Sequence, residues 1–243
     1  MDNEWIKQND KEYIANTYSR FDLIVERGRG SRVFSNEREY IDFASGIAVS
    51  AFGICDNDWI NAVTAQAAKL SHTSNLYYTE PAVKLAKLLC EKTDAKKVFF
   101  SNSGAEANEC AIKAARKYSF DKYGAGRFEI ITLENSFHGR TMATITATGQ
   151  SAFHKYFDPF LEGFKYVPAN DFSALESAVS QKTCALMLEI VQCEGGVIVL
   201  DREYVKKAAE LCAQNNILLI IDEVQTGNGR TGTLYAYMQY GIC

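Results

Sequence analysis

The feature that most constrains the fold is an apolar run late in the chain that stops abruptly at an acid. The run, Leu218–Ile221, reads Leu-Leu-Ile-Ile and is followed by Asp222. Four bulky aliphatic residues without alternation predict a strand buried on both faces, as in a parallel sheet covered by helices. Ligands of such sheets gather beyond the carboxyl ends of the strands, so we expect Asp222 to lie where chemistry takes place.

A carboxylate at that position has two possible roles. It can hold a cationic ring nitrogen, which a pyridoxal cofactor needs when it acts as an electron sink. It can equally be the N-cap of a helix that follows the strand. Asp222 taken alone does not discriminate between these roles, and the rest of the chain has to decide.

The composition bounds the class of protein. With 243 residues, the chain is long enough for one large α/β domain or for a domain plus part of another. A net charge of -4 without any block of Lys or Arg argues against a nucleic-acid partner. We find no apolar run long enough to span a bilayer, and the polar N-terminus is unlike a signal peptide, so we expect no membrane association and a cytoplasmic location.

The cysteines and histidines do not form a metal-binding pattern. None of the seven cysteines has C-x-x-C spacing, and the three histidines show no metal-ligand pairing with them. We therefore expect reduced, mostly buried thiols and no metal site.

Helical and strand-like patterns alternate along most of the chain. A hairpin is predicted near the N-terminus, with strands at 31–34 and 40–43. After it, helical periods separate a series of strand candidates, which predicts βαβ units and a mostly parallel sheet. The candidates are residues 97–101, 128–133, 164–167, 185–191 and 217–221.

The first strand candidate runs into a turn of small residues that opens a helix. The turn is Ser103-Gly104-Ala105. Backbone N–H groups at the start of a helix, together with its dipole, make such a turn a phosphate site. The alternative is that Ser103 only caps the helix, in a capping box with Glu106.

The second strand candidate is followed by a loop that combines aromatic and cationic side chains. Phe137 and His138 offer flat faces to an aromatic cofactor, and Arg140 offers a bidentate clamp for a substrate carboxylate. The alternative is a polar loop with one buried aromatic residue.

Two carboxylates, Glu189 and Glu194, lie at the end of the fourth candidate. Acid–base work is conceivable there, but we favour pairing of both with a nearby Arg or a backbone amide. A glycine-rich loop at 227–232 follows the last strand. Each of these motifs follows a different strand, so all are expected to converge on one edge of the sheet.

Four segments together resemble the class III pyridoxal-phosphate aminotransferases. They are residues 74–81, 101–109, 136–141 and 221–227, the last three reading Ser-Asn-Ser-Gly-Ala-Glu-Ala-Asn-Glu, Ser-Phe-His-Gly-Arg-Thr and Ile-Asp-Glu-Val-Gln-Thr-Gly. The likeness begins near Tyr13 and is strongest to members that use N2-acetylornithine in arginine biosynthesis. It implies a fold-type I α/β architecture, with residues 1–60 part of a smaller α+β domain and residues 61–243 a large cofactor domain that lacks its last strands.

The resemblance also implies roles around one cofactor ring. The backbone of residues 103–105 would hold the phosphate, while Phe137 and Val224 would cover the two ring faces. Asp222 would pair with the protonated ring nitrogen, and Gln225 would reach the phenolic oxygen. The implied cofactor-binding residues are Ser103, Gly104, Ala105, Phe137, His138, Asp222, Val224 and Gln225.

On the substrate side, the resemblance implies that Arg140 takes the α-carboxylate of acetylornithine and that Glu194 pairs with a substrate-reading arginine. The implied reaction moves the δ-amino group of acetylornithine to 2-oxoglutarate, giving a semialdehyde and glutamate in a homodimer. Ornithine, succinylornithine and 4-aminobutyrate aminotransferases share most of these motifs and stay open as alternatives.

The chain departs from the family pattern in two ways that matter. Cys193 stands where the family has a glycine, and we expect strain there if the backbone φ is positive. No lysine follows Asp222, although the family's Schiff-base lysine lies beyond that aspartate. We therefore expect these 243 residues alone to show no transaminase turnover, and a non-catalytic cofactor-binding short form stays open as a further alternative.

Overall fold

A computed structural model describes residues 3–242 of the chain. The fold divides into two compact units, Met1–Tyr77 and Tyr78–Cys243. The domain boundary predicted at residue 60 stays a prediction.

The first unit contains a small antiparallel sheet, with one helix before it and one after it along the chain. Its middle and last strands pair from Arg32 opposite Ile41 to Ser35 opposite Arg38, which confirms the predicted hairpin. Asn36 in the turn has a φ of 46°, a left-handed conformation that asparagine tolerates. The elements are α1 (Asn3–Tyr13), β1 (Arg27–Arg29), β2 (Arg32–Ser35), β3 (Arg38–Ile41) and α2 (Asn57–Lys69).

The second unit is built around a four-stranded parallel sheet. The sheet consists of β4 (Glu129–Leu133), β5 (Phe164–Val167), β6 (Thr183–Leu188) and β9 (Leu218–Ile221), in the order β5-β4-β6-β9. The unit also contains a separate short pair, β7 (Val191–Gln192) and β8 (Ile198–Val199). Its helices are α3 (Glu80–Lys92), α4 (Gly104–Tyr123), α5 (Met142–Ala147), α6 (Ser151–His154), α7 (Phe172–Ala178) and α8 (Arg202–Gln214), with a final 3-10 turn at Ala236–Gln239.

Both faces of this sheet are buried. Every residue of β6 is buried; Leu186 and Leu188 join the core that includes α7 and α8, and Ala185 and Met187 join the core that includes α4 and α5. Alternate side chains of one strand therefore enter two different cores. This confirms the predicted fold class, a mostly parallel sheet layered by helices.

The apolar run at β9 is less buried than the sequence pattern suggests. Its four residues are only partly buried, although they contact both cores. The reason is that β9 is the edge strand of the sheet, and its outer side borders a cavity of about 670 Å³.

The strand predicted at 97–101 is wrong. This segment lies along the same cavity, which Val98 and Phe99 help to line, but it forms no ladder with any strand of the described residues. A strand requires a hydrogen-bonded neighbour, and the sequence pattern alone carries no information about whether that neighbour is present.

Two further expectations can be compared with residues 3–242. The six cysteines described there are free thiols, but only Cys184 and Cys212 are buried, so the expectation of mostly buried thiols is wrong; Cys243 lies outside the described residues. Within the same range, we find no helix with the length and apolar character that a membrane crossing requires.

Candidate functional site

The N-terminus of α4 forms one side of the candidate site. Ser103 caps this 20-residue helix, and its Oγ accepts a hydrogen bond from the backbone N of Glu106 at 3.2 Å. The Glu106 carboxylate accepts from the backbone N of Asn102 at 2.6 Å rather than from that of Ser103. Only one half of the predicted capping box therefore forms, and the exposed turn still presents helix N–H groups.

Gly104 brings this turn into contact with the residue that follows the acid. A Cβ atom added to Gly104 would lie 2.7 Å from Cγ1 of Val224, well inside normal contact distance. The first turn of α4 and the end of β9 are thus packed together, with no room for a side chain at position 104.

Asp222 lies at the centre of a buried hydrogen-bond network. Its Oδ2 accepts from Nδ2 of Asn108 at 2.7 Å and lies 2.8 Å from Nδ1 of His138. Its Oδ1 accepts from the backbone N of Val224 at 3.0 Å. Turns rather than a helix follow Asp222, so the helix N-cap alternative is wrong.

The network keeps Asp222 ionised although the residue is only 7% exposed. Burial alone would raise the pKa of Asp222, but the hydrogen bond and charge of His138, with the donors from Val224 and Asn108, outweigh it and lower the pKa. Because an ionised carboxylate has no proton, Nδ1 of His138 must donate in this pair. The result is a buried anion at the rim of a parallel sheet.

The loop after β4 is held against both Asp222 and α4. The backbone N of His138 donates to Oγ1 of Thr148 at 2.9 Å, and its carbonyl accepts from Asn108 at 2.8 Å. His138 is buried, whereas the neighbouring Phe137 is partly exposed. The predicted contact of the His138 ring with a cofactor stays a prediction.

Gly139 explains why this loop can approach α4 so closely. Its φ is +131°, and an added Cβ would lie 2.6 Å from Oγ1 of Thr144 and 2.8 Å from Cβ of Ala105. Glycine is therefore needed at position 139 both for the backbone conformation and for the space.

We expect Gly139→Ala to lower the free energy of unfolding by about 2–4 kcal/mol, since backbone strain and crowding both contribute. The matched control is Gly126→Ala, where φ is +101° but nothing lies within 4 Å of the added Cβ. That control isolates the effect of the positive φ, and we expect it to lower the free energy of unfolding by about 1 kcal/mol. Urea titration of both variants measures the difference, and equal losses would contradict the packing argument.

Glu189 supports the same loop from the next strand. Its Oε2 accepts from the backbone N of Phe137 at 2.9 Å, which confirms the predicted pairing of this carboxylate with a backbone amide. Burial, reinforced by the charges of Asp222 and Glu194, raises the pKa of Glu189 to about 8. Glu189 therefore carries a proton at neutral pH, in contrast to Asp222.

Cys193 itself does not show the strain considered for it. Cys193 is absent from the residues with positive φ, and the left-handed positions of this loop are Gly196 and Val197. Glu194 itself is exposed, and its predicted pairing with a cationic group stays a prediction.

Arg140 is exposed at the mouth of the site, next to aromatic rings. Its guanidinium carbon lies 4.6 Å from the ring centre of Phe153 and 5.7 Å from that of Phe137. The two phenylalanine rings make an edge contact at 5.5 Å. A partly exposed aromatic face and a solvent-accessible cation are therefore adjacent.

The predicted convergence on one edge of the sheet is confirmed for three of the motifs. The turn at Ser103, the loop of Phe137 and the acid Asp222 are joined by direct contacts. Asn108 was not identified from the sequence as a site residue. The sequence does contain one indication of its role, because a polar amide interrupts the buried face of α4. The sequence does not identify its hydrogen-bond partners, which are 30 and 114 positions away in the chain.

Comparison with known proteins places this arrangement in a family. The sequence profile described as aminotransferase class-III matches residues 13–243. The chain is 55% identical, over its whole length, to acetylornithine aminotransferase from Haemophilus ducreyi, of which it covers 62%.

Solved structures agree with the fold. An ornithine aminotransferase from Toxoplasma gondii, described as having partial occupancy of PLP at its active site, matches with a TM-score of 0.94 and 32% identity, covering 99% of this chain and 57% of its own. An N-acetylornithine aminotransferase from Stenotrophomonas maltophilia matches with a TM-score of 0.81 and 39% identity, covering 98% and 58%.

The chain spans about 60% of the length of the relatives it matches. The match nevertheless includes all of the residues that form the candidate site, from the turn at Ser103 to Gln225. The chain belongs to the class-III aminotransferases, a family of pyridoxal-phosphate enzymes.

Proposed function

We propose that this protein binds pyridoxal 5′-phosphate and transfers the δ-amino group of N2-acetylornithine to 2-oxoglutarate, as a step of arginine biosynthesis. The products are N-acetylglutamate 5-semialdehyde and glutamate. The observation that carries the proposal is the buried, ionised Asp222 beside the exposed helix turn at Ser103. A fixed anion next to a phosphate-binding helix end matches a ligand that has a cationic ring and a phosphate.

The residues present fit the cofactor chemically. The N–H groups of residues 103–105 would hold the phosphate, Asp222 would hold the ring nitrogen in its protonated form, and Gln225 would reach the phenolic oxygen. Phe137 and the exposed Val224 would cover the two faces of the ring. When bound, the cofactor supplies an electron sink for charge that develops on the amino-bearing carbon.

Arg140 and Glu194 are proposed to read the substrate. The exposed guanidinium of Arg140 is suited to a bidentate contact with the α-carboxylate of acetylornithine. Glu194 would pair with an arginine that the resemblance implies. The 55% identity to the acetylornithine aminotransferase of Haemophilus ducreyi, against 32% to the ornithine aminotransferase of Toxoplasma gondii, supports acetylornithine over ornithine as the amino donor. We further propose a cytoplasmic homodimer.

Kinetics test the choice of substrate. We expect the full-length gene product to show a kcat/KM for N2-acetylornithine at least tenfold above that for ornithine, about 1.4 kcal/mol of discrimination. 4-Aminobutyrate and succinylornithine serve as further competitors in the same assay with 2-oxoglutarate. A tenfold preference for any of these three would replace the proposed donor.

The cofactor site can be tested on the 243 residues themselves. Pyridoxamine 5′-phosphate binds without a covalent bond to a lysine, so it can be used with these 243 residues. Its intrinsic fluorescence reports the binding. We expect it to bind at least tenfold more tightly than pyridoxamine, because the turn at Ser103 recognises the phosphate. Equal affinity for the two ligands would count against the phosphate site. Binding without turnover in the 2-oxoglutarate assay is the result expected from the absence of a lysine after Asp222.

A further inference from the structure

Asn108 uses its side-chain amide to connect three elements. It lies in the second turn of α4 and is buried. Its Nδ2 donates to Oδ2 of Asp222 at 2.7 Å and to the carbonyl of His138 at 2.8 Å. Both protons of the amide are therefore used, one on the acid after β9 and the other on the loop after β4.

The hydrogen bonds of Asp222 leave one direction open. A carboxylate offers about four lone-pair positions, two on each oxygen. Asn108 and His138 occupy both positions on Oδ2, and the Val224 amide occupies one on Oδ1. One position on Oδ1 is left for a donor outside this network.

We propose that Asn108 is a positioning residue that fixes the rotation of the Asp222 carboxylate, so that Oδ1 faces the cationic ring nitrogen, and that holds the loop of Phe137 in register with it. The proposal rests on the proposed cofactor function. Without Asn108, Oδ2 would keep a single donor, and the carboxylate could turn about its Cβ–Cγ bond. The carbonyl of His138 would also lose its buried partner, which frees the loop that carries Phe137.

The chemistry at position 108 favours an amide over other side chains of similar size. A leucine would fill the space but remove one of the two donors to Oδ2 of Asp222 and leave the buried carbonyl of His138 without this donor. An aspartate would place a second carboxylate next to Asp222, and like charges at that distance do not both ionise. Asn108→Leu therefore removes both donations, whereas Asn108→Asp has at most one proton to donate and couples it to the titration of Asp222.

Two measurements on the purified 243-residue chain test the proposal. In the ligand-free protein, 13C NMR of the Asp222 carboxyl should show its titration midpoint moved to higher pH in both variants. Pyridoxamine 5′-phosphate should bind about tenfold more weakly, or worse, as expected for loss of a hydrogen bond to a charged group. A role of Asn108 in helix packing alone would change stability without moving the Asp222 midpoint.

Ser119→Ala is the matched control. Ser119 is buried on the same helix, and its Oγ donates to the carbonyl of Arg127 at 2.7 Å, away from Asp222. This variant should lose stability but keep the wild-type midpoint and affinity. If Asn108→Leu does not fold, Asn108→Ala carries the test, because it removes both donations without adding bulk or charge.

The outcomes separate this proposal from the proposed function. If the wild-type chain binds no pyridoxamine 5′-phosphate, the cofactor function fails, and the Asp222 midpoint still reports whether Asn108 controls the carboxylate. If the wild type binds and both Asn108 variants match it in affinity and in Asp222 midpoint, the positioning role is overturned and the cofactor function stands.

Discussion

Asp222→Ala is expected to weaken the binding of pyridoxamine 5′-phosphate by about a hundredfold, because it removes the only partner proposed for the cationic ring nitrogen. The reason for so large an effect is burial. The carboxylate is already desolvated and oriented by Asn108, His138 and the Val224 amide before any ligand arrives. Its interaction with a cation is therefore made without further reorganisation.

The same substitution also affects the ligand-free protein. Asp222→Ala leaves the donors of Asn108, His138 and Val224 without their acceptor, and we expect a loss of about 2–4 kcal/mol in the free energy of unfolding. Affinity must therefore be measured by fluorescence titration well below the unfolding transition of each variant.

Asp222→Asn is the matched substitution for the charge. Asparagine keeps the shape of the side chain and one acceptor oxygen. The loss of affinity for pyridoxamine 5′-phosphate in this variant therefore reports the missing negative charge more than the missing hydrogen bonds. We expect its affinity to fall between that of the wild type and that of Asp222→Ala. Wild-type affinity in both variants would contradict the proposed pairing with the ring nitrogen.

Glu189→Gln is expected to remove most of the decline in stability that the wild type shows between mildly acidic and mildly alkaline pH. Burial raises the pKa of Glu189 from 4.5 to about 8, so the folded protein keeps a proton that the unfolded chain releases. The contribution of Glu189 to the free energy of unfolding is fully present below its pKa in the unfolded chain, 4.5. This contribution is lost as the pH rises towards the pKa in the folded protein, about 8. The slope is at most about 1.4 kcal/mol per pH unit in that window.

The amide that Glu189→Gln introduces would reproduce the protonated acid. It retains an oxygen that can accept from the Phe137 backbone N, and it cannot ionise. The gain in the free energy of unfolding over the wild type at pH 8 should therefore be on the order of 2–4 kcal/mol and should vanish near pH 5.

Urea unfolding at several pH values measures this difference. Glu210→Gln is the control, since Glu210 is an exposed carboxylate on α8 and should leave the slope nearly unchanged. A wild-type stability that rises between pH 5 and pH 8, with no difference from Glu189→Gln, would show that Glu189 ionises normally in the folded protein.

The sequence alone determined the layered parallel sheet and the edge at which its functional residues gather. Apolar runs such as that of β6 and helical periods such as that of α4 are local patterns, and burial on both faces follows from them. The motifs at Phe137 and Asp222 follow the parallel strands β4 and β9, so their convergence needed only the rule that parallel strands end at one edge. The turn at Ser103 follows no strand, and its contact with Val224 was decided by packing. The family resemblance added expected roles, which remain proposals for these residues.

Only the tertiary structure decided how these residues act on each other. The pairing of Asp222 with Asn108 and His138 joins residues 114 and 84 positions apart, and nothing in their local sequence specifies it. The opposite proton states of Glu189 and Asp222 depend on burial and on which donors reach each carboxylate. The missing ladder at 97–101 has the same cause: hydrogen bonds between distant segments are set by the packing of the whole chain, whereas a sequence pattern reports only which residues favour burial.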